Sequence, residues 1–481
     1  MSILRERLSV PTITYHSSSE MRSLFFFLLL KVKHSMDHIP KDVVFAAKRL
    51  ANYNRNRFRL ETVSAETAGP GRIVTVNLPE GALLDMKSFK WHFDVACTEV
   101  VNATAARTVR GRLPADASSL ISRVECFLNG IQIEQGTPEY GTLCRMLKIG
   151  RSSRDKDGSI DRTLHHGAVV SADAAEDVSV VVSEWCGFLG ETATRYLPMD
   201  LLGQLQVRIT LAPASVLIPK QEAVAIGTNF NHAEARAGAS QVTYSVSNMY
   251  FTVDSVSVDD MYNQMLRERL STEEFIPLNY KEYYSFSLDG ISTNSRFSLS
   301  AKSIDRMYAT FRDSNFQTTG IRGHSMTAST FSETGCSNAL RFRSYNDSNT
   351  KQGSFSYQWS VNNVKMPQYR AGVMDALFDL AYTNDKVHDG SPGNMVTSLA
   401  QYNDGMFVLP LTLCHPGEGL HVQSGYNSKG INTMLTLEIQ GQTPPTASAD
   451  SGETNALSSY VLVETTAQLR IGLGKNLGVA F

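Results

Sequence analysis

Asn129-Gly130 separates two short runs of alternating apolar residues and fixes how they can pair. A two-residue type I′ turn needs positive φ at both central positions, which Asn and Gly tolerate best. With these two as the turn, Leu128 faces Ile131, Cys126 faces Ile133 and Val124 faces Gln135, while Phe127 and Glu125 fall opposite Gln132 and Glu134. One face of this hairpin, residues 124–135, is apolar and the other mostly polar, as in an antiparallel pair with one side on a core. Residues 357–368 repeat the design around Asn362-Asn363: Val361 faces Val364, Trp359 faces Met366 and Ser360 faces Lys365.

Each hairpin leads into helical spacing at i, i+3, i+4 and i+7: Tyr140, Leu143, Cys144 and Leu147 after the first, Val373, Ala376, Leu377 and Leu380 after the second. The turns lie 362 − 129 = 233 residues apart. Downstream, Leu205, Val207, Ile209 and Leu211 alternate with polar residues, and Leu435, Leu437 and Ile439 do so again at an offset of 435 − 205 = 230. Hairpin, helix and alternating strand recur in one order at nearly one spacing, as expected for a β-domain built twice. The 481 residues suffice for two such domains, each able to bury a core without disulfide or metal.

Further strands are expected at residues 57–62, 72–77, 87–97, 178–182, 205–211 and 242–256, which with the hairpin make about eight, the number a jelly roll uses. Residues 259–270 read as a connecting helix. The second half offers strands at 281–288, 296–300, 307–311, 406–413, 434–440 and 459–471. Segments 150–177, 315–354 and 443–456 are polar without alternation and read as surface loops, the first two on the solvent side and tolerant of insertion. The expected fold is all-β: two tandem eight-stranded jelly-roll β-sandwiches with short helices in loops and an N-terminal arm. The arm spans 1–56, jelly roll 1 spans 57–258, a connecting helix or linker 259–275, and jelly roll 2 276–481; residues 1–35 are absent from the mature protein if Met36 is the true start.

A net charge of −2, from 45 basic and 47 acidic residues, predicts no general polyanion-binding surface. Basic character is local: Lys48, Arg49, Arg55, Arg57 and Arg59 form an arm that reads as a solvated charged helix entering the first strand, with contact to DNA or anionic lipid as the functional alternative. The apolar run at 24–30 is far shorter than the ~20 residues that span a bilayer. Lys31, Lys33 and His34 follow it where a signal peptide would place small residues. Six scattered cysteines contain no CxxC pair and read as reduced thiols.

No catalytic, cofactor-binding or metal-binding residue can be assigned. The eleven histidines do not cluster; His165 and His166 would point to opposite faces of a strand. Gly472, Gly474 and Lys475 resemble a phosphate loop, but Leu469 stands where its first glycine belongs and Asn476 where its Ser or Thr belongs, leaving a glycine-rich tail as the reading. GxSxG, HExxH and GxGxxG are absent.

Four stretches, VECFLNGIQIEQGTPEYGTLCRML (124–147), RYLPMDLLGQLQVRITL (195–211), YSVSNMYFTVDSV (244–256) and SGYNSKGINTMLTLEI (424–439), together with the strand order, give a chain that resembles the double jelly-roll major capsid proteins of the adenovirus-hexon lineage. The likeness is greatest to those of virophages, Polinton-like viruses and nucleocytoplasmic large DNA viruses, and covers residues 57–475. The resemblance implies a structural protein and no catalysis: a homotrimer whose six jelly rolls make a pseudo-hexagonal capsomer of an icosahedral double-stranded DNA virus shell. It further implies neighbouring capsomers, penton and minor capsid proteins as partners, no cofactor, no small-molecule substrate, and a place in the virion after assembly in the host cytoplasm or nucleus. The basic arm would lie on the inner face, in weak contact with DNA or membrane. The alternative on the same fold is a glycan- or receptor-binding spike or lectin module, against which the loops offer only isolated aromatics such as Tyr345 and Tyr402.

Overall fold

The computed structural model describes residues 54–151 (without 65, 82, 103–106 and 114–116), 178–221, 243–257, 260–289, 294–314, 340, 342–344, 355–383, 402–403, 406–414, 423–430, 433–442 and 457–480. In the first half the strands are β1 (Asn54–Glu61), β2 (Ile73–Asn77), β3 (Leu83–Cys97), β4 (Glu99–Asn102), β5 (Arg107–Arg112), β6 (Ile121–Leu128) and β7 (Ile131–Glu134). Helix α1 (Tyr140–Arg151) follows, then β8 (Val178–Val182), β9 (Tyr196–Pro198), β10 (Leu205–Leu211), β11 (Ile218–Gln221) and β12 (Tyr244–Ser257). Helix α2 (Asp260–Glu273) leads to β13 (Phe275–Asp289), β14 (Asn294–Ser298), β15 (Ile304–Asp313), β16 (Ser356–Val361), β17 (Val364–Ala371), helix α3 (Val373–Thr383), β18 (Leu409–Thr412), β19 (Met434–Gln440), β20 (Leu457–Gly472) and β21 (Leu477–Ala480).

The sheet orders match between halves. The first half has β1-β12-β3-β8 opposite β2-β10-β6-β7; the second has β13-β20-β15-β18 opposite β14-β19-β16-β17. Counting the eight principal strands of each half in chain order, both sandwiches read 1-8-3-6 against 2-7-4-5, with a helix between strands five and six. This is jelly-roll connectivity used twice. Alternation builds the core as the sequence requires: Leu205, Val207, Ile209 and Leu211 are buried while Gln206, Arg208 and Thr210 between them are half-buried. On β3, Phe89 and Trp91 stack on Phe251 of β12 at 5.5 and 5.9 Å. One continuous apolar cluster runs through both halves.

Both hairpins turn where expected, with positive φ at Asn129, Gly130, Asn362 and Asn363. Their registers hold for two and three pairs respectively and then depart. Leu128 pairs Ile131 and Phe127 pairs Gln132, but a bulge then sets Cys126 opposite Glu134 rather than Ile133, so that Ile133 and Glu134 are both buried. In the second hairpin Trp359 pairs Met366, after which the ladder breaks and resumes at Tyr357 and Ala371. Pro367 in this gap has no N–H to donate, and its carbonyl instead accepts from Gln358 Nε2 at 2.8 Å. Ile131 and Val364, expected on the apolar face, are 48% and 58% exposed, each being the first residue after the turn on an edge strand.

Five strands were not anticipated, among them the short β9, which pairs with the start of β3. β11, β5 and β4 form a separate three-stranded sheet, and the glycine-rich tail is a turn, with Gly474 at φ 71° and Lys475 at φ 61°, that returns β21 along β20. Two loop expectations also change. Within 315–354, Phe342 is fully buried and bridges Met406, and Tyr402 is buried with its hydroxyl donating to the Val408 carbonyl at 2.5 Å, so neither belongs to an outer surface. Segments 152–177, 315–339, 345–354 and 443–456, His165, His166 and Tyr345 lie outside the described residues.

Candidate functional site: the junction of the two sandwiches

The turn asparagines do more than turn the chain. Asn129 donates its backbone N–H to the Gln204 carbonyl (2.9 Å), accepts the Gln204 N–H on Oδ1 (3.0 Å) and donates Nδ2 to the Leu202 carbonyl (2.7 Å). Asn362 repeats this on Met434, with N–H to carbonyl at 2.9 Å and Oδ1 accepting at 2.9 Å, while Nδ2 reaches the Tyr426 hydroxyl at 3.1 Å. Each hairpin tip is thereby stapled to the residue preceding or opening the adjoining strand, β10 or β19. Replacing either asparagine by alanine is expected to cost about 1–3 kcal/mol through strained φ and lost hydrogen bonds, whereas glycine relieves only the φ part. Denaturant unfolding checks this; a glycine variant as stable as the parent would mean that the side-chain bonds contribute nothing.

Of the five basic arm residues, Lys48 and Arg49 lie outside the described residues. The other three are on β1 and are paired. Arg57 Nε lies 2.7 Å from Asp254 Oδ1, Arg55 Nη2 bonds the same carboxylate and lies 3.7 Å from Asp85, and Arg59 bonds Glu61 at 2.8 Å with its guanidinium over the Tyr250 ring. Asp85 and Asp254 are buried, and Asp85 is also forked by Arg195 at 2.8 and 3.1 Å. The hydrogen bond from Arg57 holds the Asp254 carboxyl below its ordinary pKa against the opposing effect of burial. Arg55 and Arg57 therefore compensate carboxylates across a sheet, a role that residue type alone did not indicate.

The two sandwiches meet along two segments of the first, residues 133–142 and 185–194. Glu191–Ala193 add to β13, the edge strand of its sheet: Ala193 N–H donates to the Asn279 carbonyl (2.8 Å), Lys281 N–H donates to the Glu191 carbonyl (3.1 Å), and Thr192 bridges Tyr280. This covers an edge that would otherwise expose unpaired backbone groups. From the other segment, Ile133 accepts from Tyr280 Oη (2.7 Å), Pro138 accepts from Tyr460 Oη (3.0 Å), and Thr137 Oγ1 donates to the Tyr283 carbonyl (2.6 Å). Arg312, fully buried on β15, reaches Glu139 at 2.6 Å and Thr142 at 3.3 Å at the start of α1.

Ionisable groups crowd this region. Lys281 Nζ contacts Asp305 (2.6 Å), Glu464 (3.2 Å) and Thr466 Oγ1 (3.0 Å), while Arg306 contacts Glu464 at 3.2 Å, giving two cations and two carboxylates, all buried. Burial opposes the charge of Lys281, but Glu464 and Asp305 outweigh it and raise its pKa. Glu134 of the first half, accepting from Phe188 N–H at 3.2 Å, is pushed up to about 8 by burial and then by the charge of Glu282. Glu282 of the second half is pushed up to about 7 by burial, partly offset by the Tyr284 hydroxyl that donates to it at 3.0 Å. Glu191 accepts from Tyr283 Oη at 2.6 Å and Gly187 N–H at 3.0 Å. Of these, Tyr283 and Glu191 join the two lobes directly, while the Lys281 set lies within the second sandwich. Among the described residues no group of three or more His, Cys, Asp or Glu is placed to hold a metal, and no helix is long and apolar enough to cross a membrane.

No protein-family model and no curated protein matches the chain. Solved structures do. The PBCV-1 virus capsid superposes with a TM-score of 0.53 at 17% identity, covering 89% of this chain and 97% of that one. The Faustovirus major capsid protein gives 0.51 at 9% identity, covering 88% and 91%. At such identities the likeness is one of fold, and it extends over both sandwiches in succession. The chain has the double jelly-roll fold of viral major capsid proteins.

Proposed function

We propose that this chain is a major capsid protein whose homotrimer is a pseudo-hexagonal capsomer of an icosahedral double-stranded DNA virus shell. The observation that carries this reading is an asymmetry between two equivalent sheets. In the second sandwich residues 304–312 of β15 and 457–467 of β20 are buried without a break, so both faces of the sheet are covered. The first sandwich supplies part of that cover through Glu139, Thr142 and Pro138. In the first sandwich the matching sheet is covered on one face only: Lys90, His92, Tyr250 and Thr252 are half-buried and Arg57 and Arg59 are exposed. The counterpart of α1 is α3, whose Phe378 is 63% exposed, and Tyr369 of the preceding β17 is 60% exposed.

Each chain thus has a helix, α3, that packs on β18 and α1 but leaves Phe378 outward, and a sheet with one face only half-buried. Placing α3 of one copy on the β1-β12-β3-β8 sheet of the next repeats between chains the contact already made within one. A heterologous contact of this kind closes into a ring or runs on as a filament. With two similar lobes per chain, three copies give six lobes, the number that tiles a plane. Neighbouring capsomers, penton and minor capsid proteins are the further partners of such a tile, and the amino-terminal arm faces the shell interior. There Lys48 and Arg49 are the contacts for DNA or anionic lipid, ahead of Arg55, Arg57 and Arg59, whose charges are paired. The arm is residues 1–56, the sandwiches 57–258 and 276–481, and the linker 259–275.

Light scattering is expected to give three times the 53.0 kDa chain mass, with hexagonal outlines in electron micrographs. Phe378→Asp should release folded monomer. A parent protein that stays monomeric at micromolar concentration would overturn the proposal.

A further inference from the structure

We propose that Cys144 and Cys186 are a redox-closable thiol pair which, once oxidised, locks together the two segments by which the first sandwich holds the second. Their sulfurs lie 3.7 Å apart although 186 − 144 = 42 residues separate them in the chain. Cys144 is buried on α1, whose first turn meets Arg312; Cys186 is partly exposed and immediately precedes the 187–194 stretch that covers β13. The same two segments are already tied on either side of the thiols. The Cys186 N–H donates to Tyr140 Oη at 2.8 Å, and Lys148 Nζ, one turn beyond Cys144, lies 3.8 Å from Glu184. A disulfide sulfur–sulfur bond measures about 2.0 Å, so closure needs an approach of under 2 Å between side chains that are already neighbours.

The chemistry needs an oxidant, taken here as a small-molecule disulfide. The Cys186 thiolate, the more accessible of the two, attacks one sulfur of that disulfide, forming a mixed disulfide and releasing one small thiol. The Cys144 thiolate then attacks the Cys186 sulfur, forms the Cys144–Cys186 bond and expels the second small thiol. The protein loses two thiol hydrogens and two electrons, and the oxidant gains them. In a glutathione-buffered compartment the pair stays reduced; in an oxidising medium it closes. The bond would join positions 144 and 186 of the chain and restrict the unfolded chain between them.

The test uses the full-length protein incubated with oxidised glutathione, alkylated and mapped by peptide mass. The expected result is an intramolecular Cys144–Cys186 linkage, loss of two alkylatable thiols, and a rise of about 5–10 °C in unfolding temperature, reversed by dithiothreitol and absent in Cys186→Ser. Because Cys144 is buried and its replacement risks the fold, Cys186→Ser is the primary control and Cys144→Ala the second. Glutathione adducts without the linkage, a linkage to another cysteine, or closure with no change in unfolding temperature would each overturn the proposal. The readout is confined to one chain, so it stands or falls separately from the capsomer.

Discussion

Lys281→Met is expected to cost about 3–5 kcal/mol, enough to leave the second sandwich partly unfolded at room temperature, because it removes one cation from a buried set of four charges. Asp305 and Glu464 are essentially inaccessible to solvent and would lose the ammonium that both contact, while Arg306, Ser303 and Thr466 remain among their partners. The large effect arises from the stranded carboxylates and not from the intrinsic worth of the ion pair, which in a buried site is small or unfavourable against an apolar core. A further result separates these causes. Lys281→Met/Glu464→Gln should recover part of the loss, since it removes one stranded charge. Urea unfolding midpoints measure both. A loss below 1 kcal/mol for Lys281→Met would show that the cluster is solvated or that Arg306 alone suffices.

Stability is also expected to fall as pH rises from about 5 to 8, the reverse of what ordinary paired carboxylates produce. The pKa values of Glu134 and Glu282, raised to about 8 and about 7, exceed their unfolded values near 4.3–4.5, so the folded state binds more protons throughout that interval. Their contribution is complete below the unfolded value and is lost as pH passes the folded ones. Each group acts at up to about 1.4 kcal/mol per pH unit within its window. At the acid end the sign is opposite. Asp254, held below its ordinary value by Arg57, loses its contribution as pH falls through its folded pKa. A maximum between about pH 4 and 6 is the expected result. Glu134→Gln and Glu282→Gln should be stabilising at pH 8 and close to neutral at pH 5, flattening the profile. The site leaves little room for rearrangement, since a Cβ on Gly187 would lie 1.9 Å from Glu134 Oε1. A parent profile level from pH 5 to 8, or glutamine variants with an unchanged slope, would contradict the assignment of these two groups.

Local chemistry is what the sequence determined by itself. Positive φ at Asn129, Gly130, Asn362 and Asn363 follows from which residues tolerate it, and the burial of Leu205, Val207, Ile209 and Leu211 follows from period-two alternation. Repetition of both signals at offsets of 233 and 230 residues was enough to establish two sandwiches in tandem. Partner identity was decided only in three dimensions. Arg55 meets Asp254 across 199 residues, Tyr460 meets Pro138 across 322, and Cys144 meets Cys186 across a polar stretch with no pattern. The bulge at Ile133 belongs with these, because it carries Glu134 beneath Phe188 N–H, a partner 54 residues away. Arg57 read as a free cation and Phe342 as part of an outer loop for one reason: desolvation and ion pairing depend on which distant strands the fold brings alongside, and neither leaves a periodicity in the residues that undergo it.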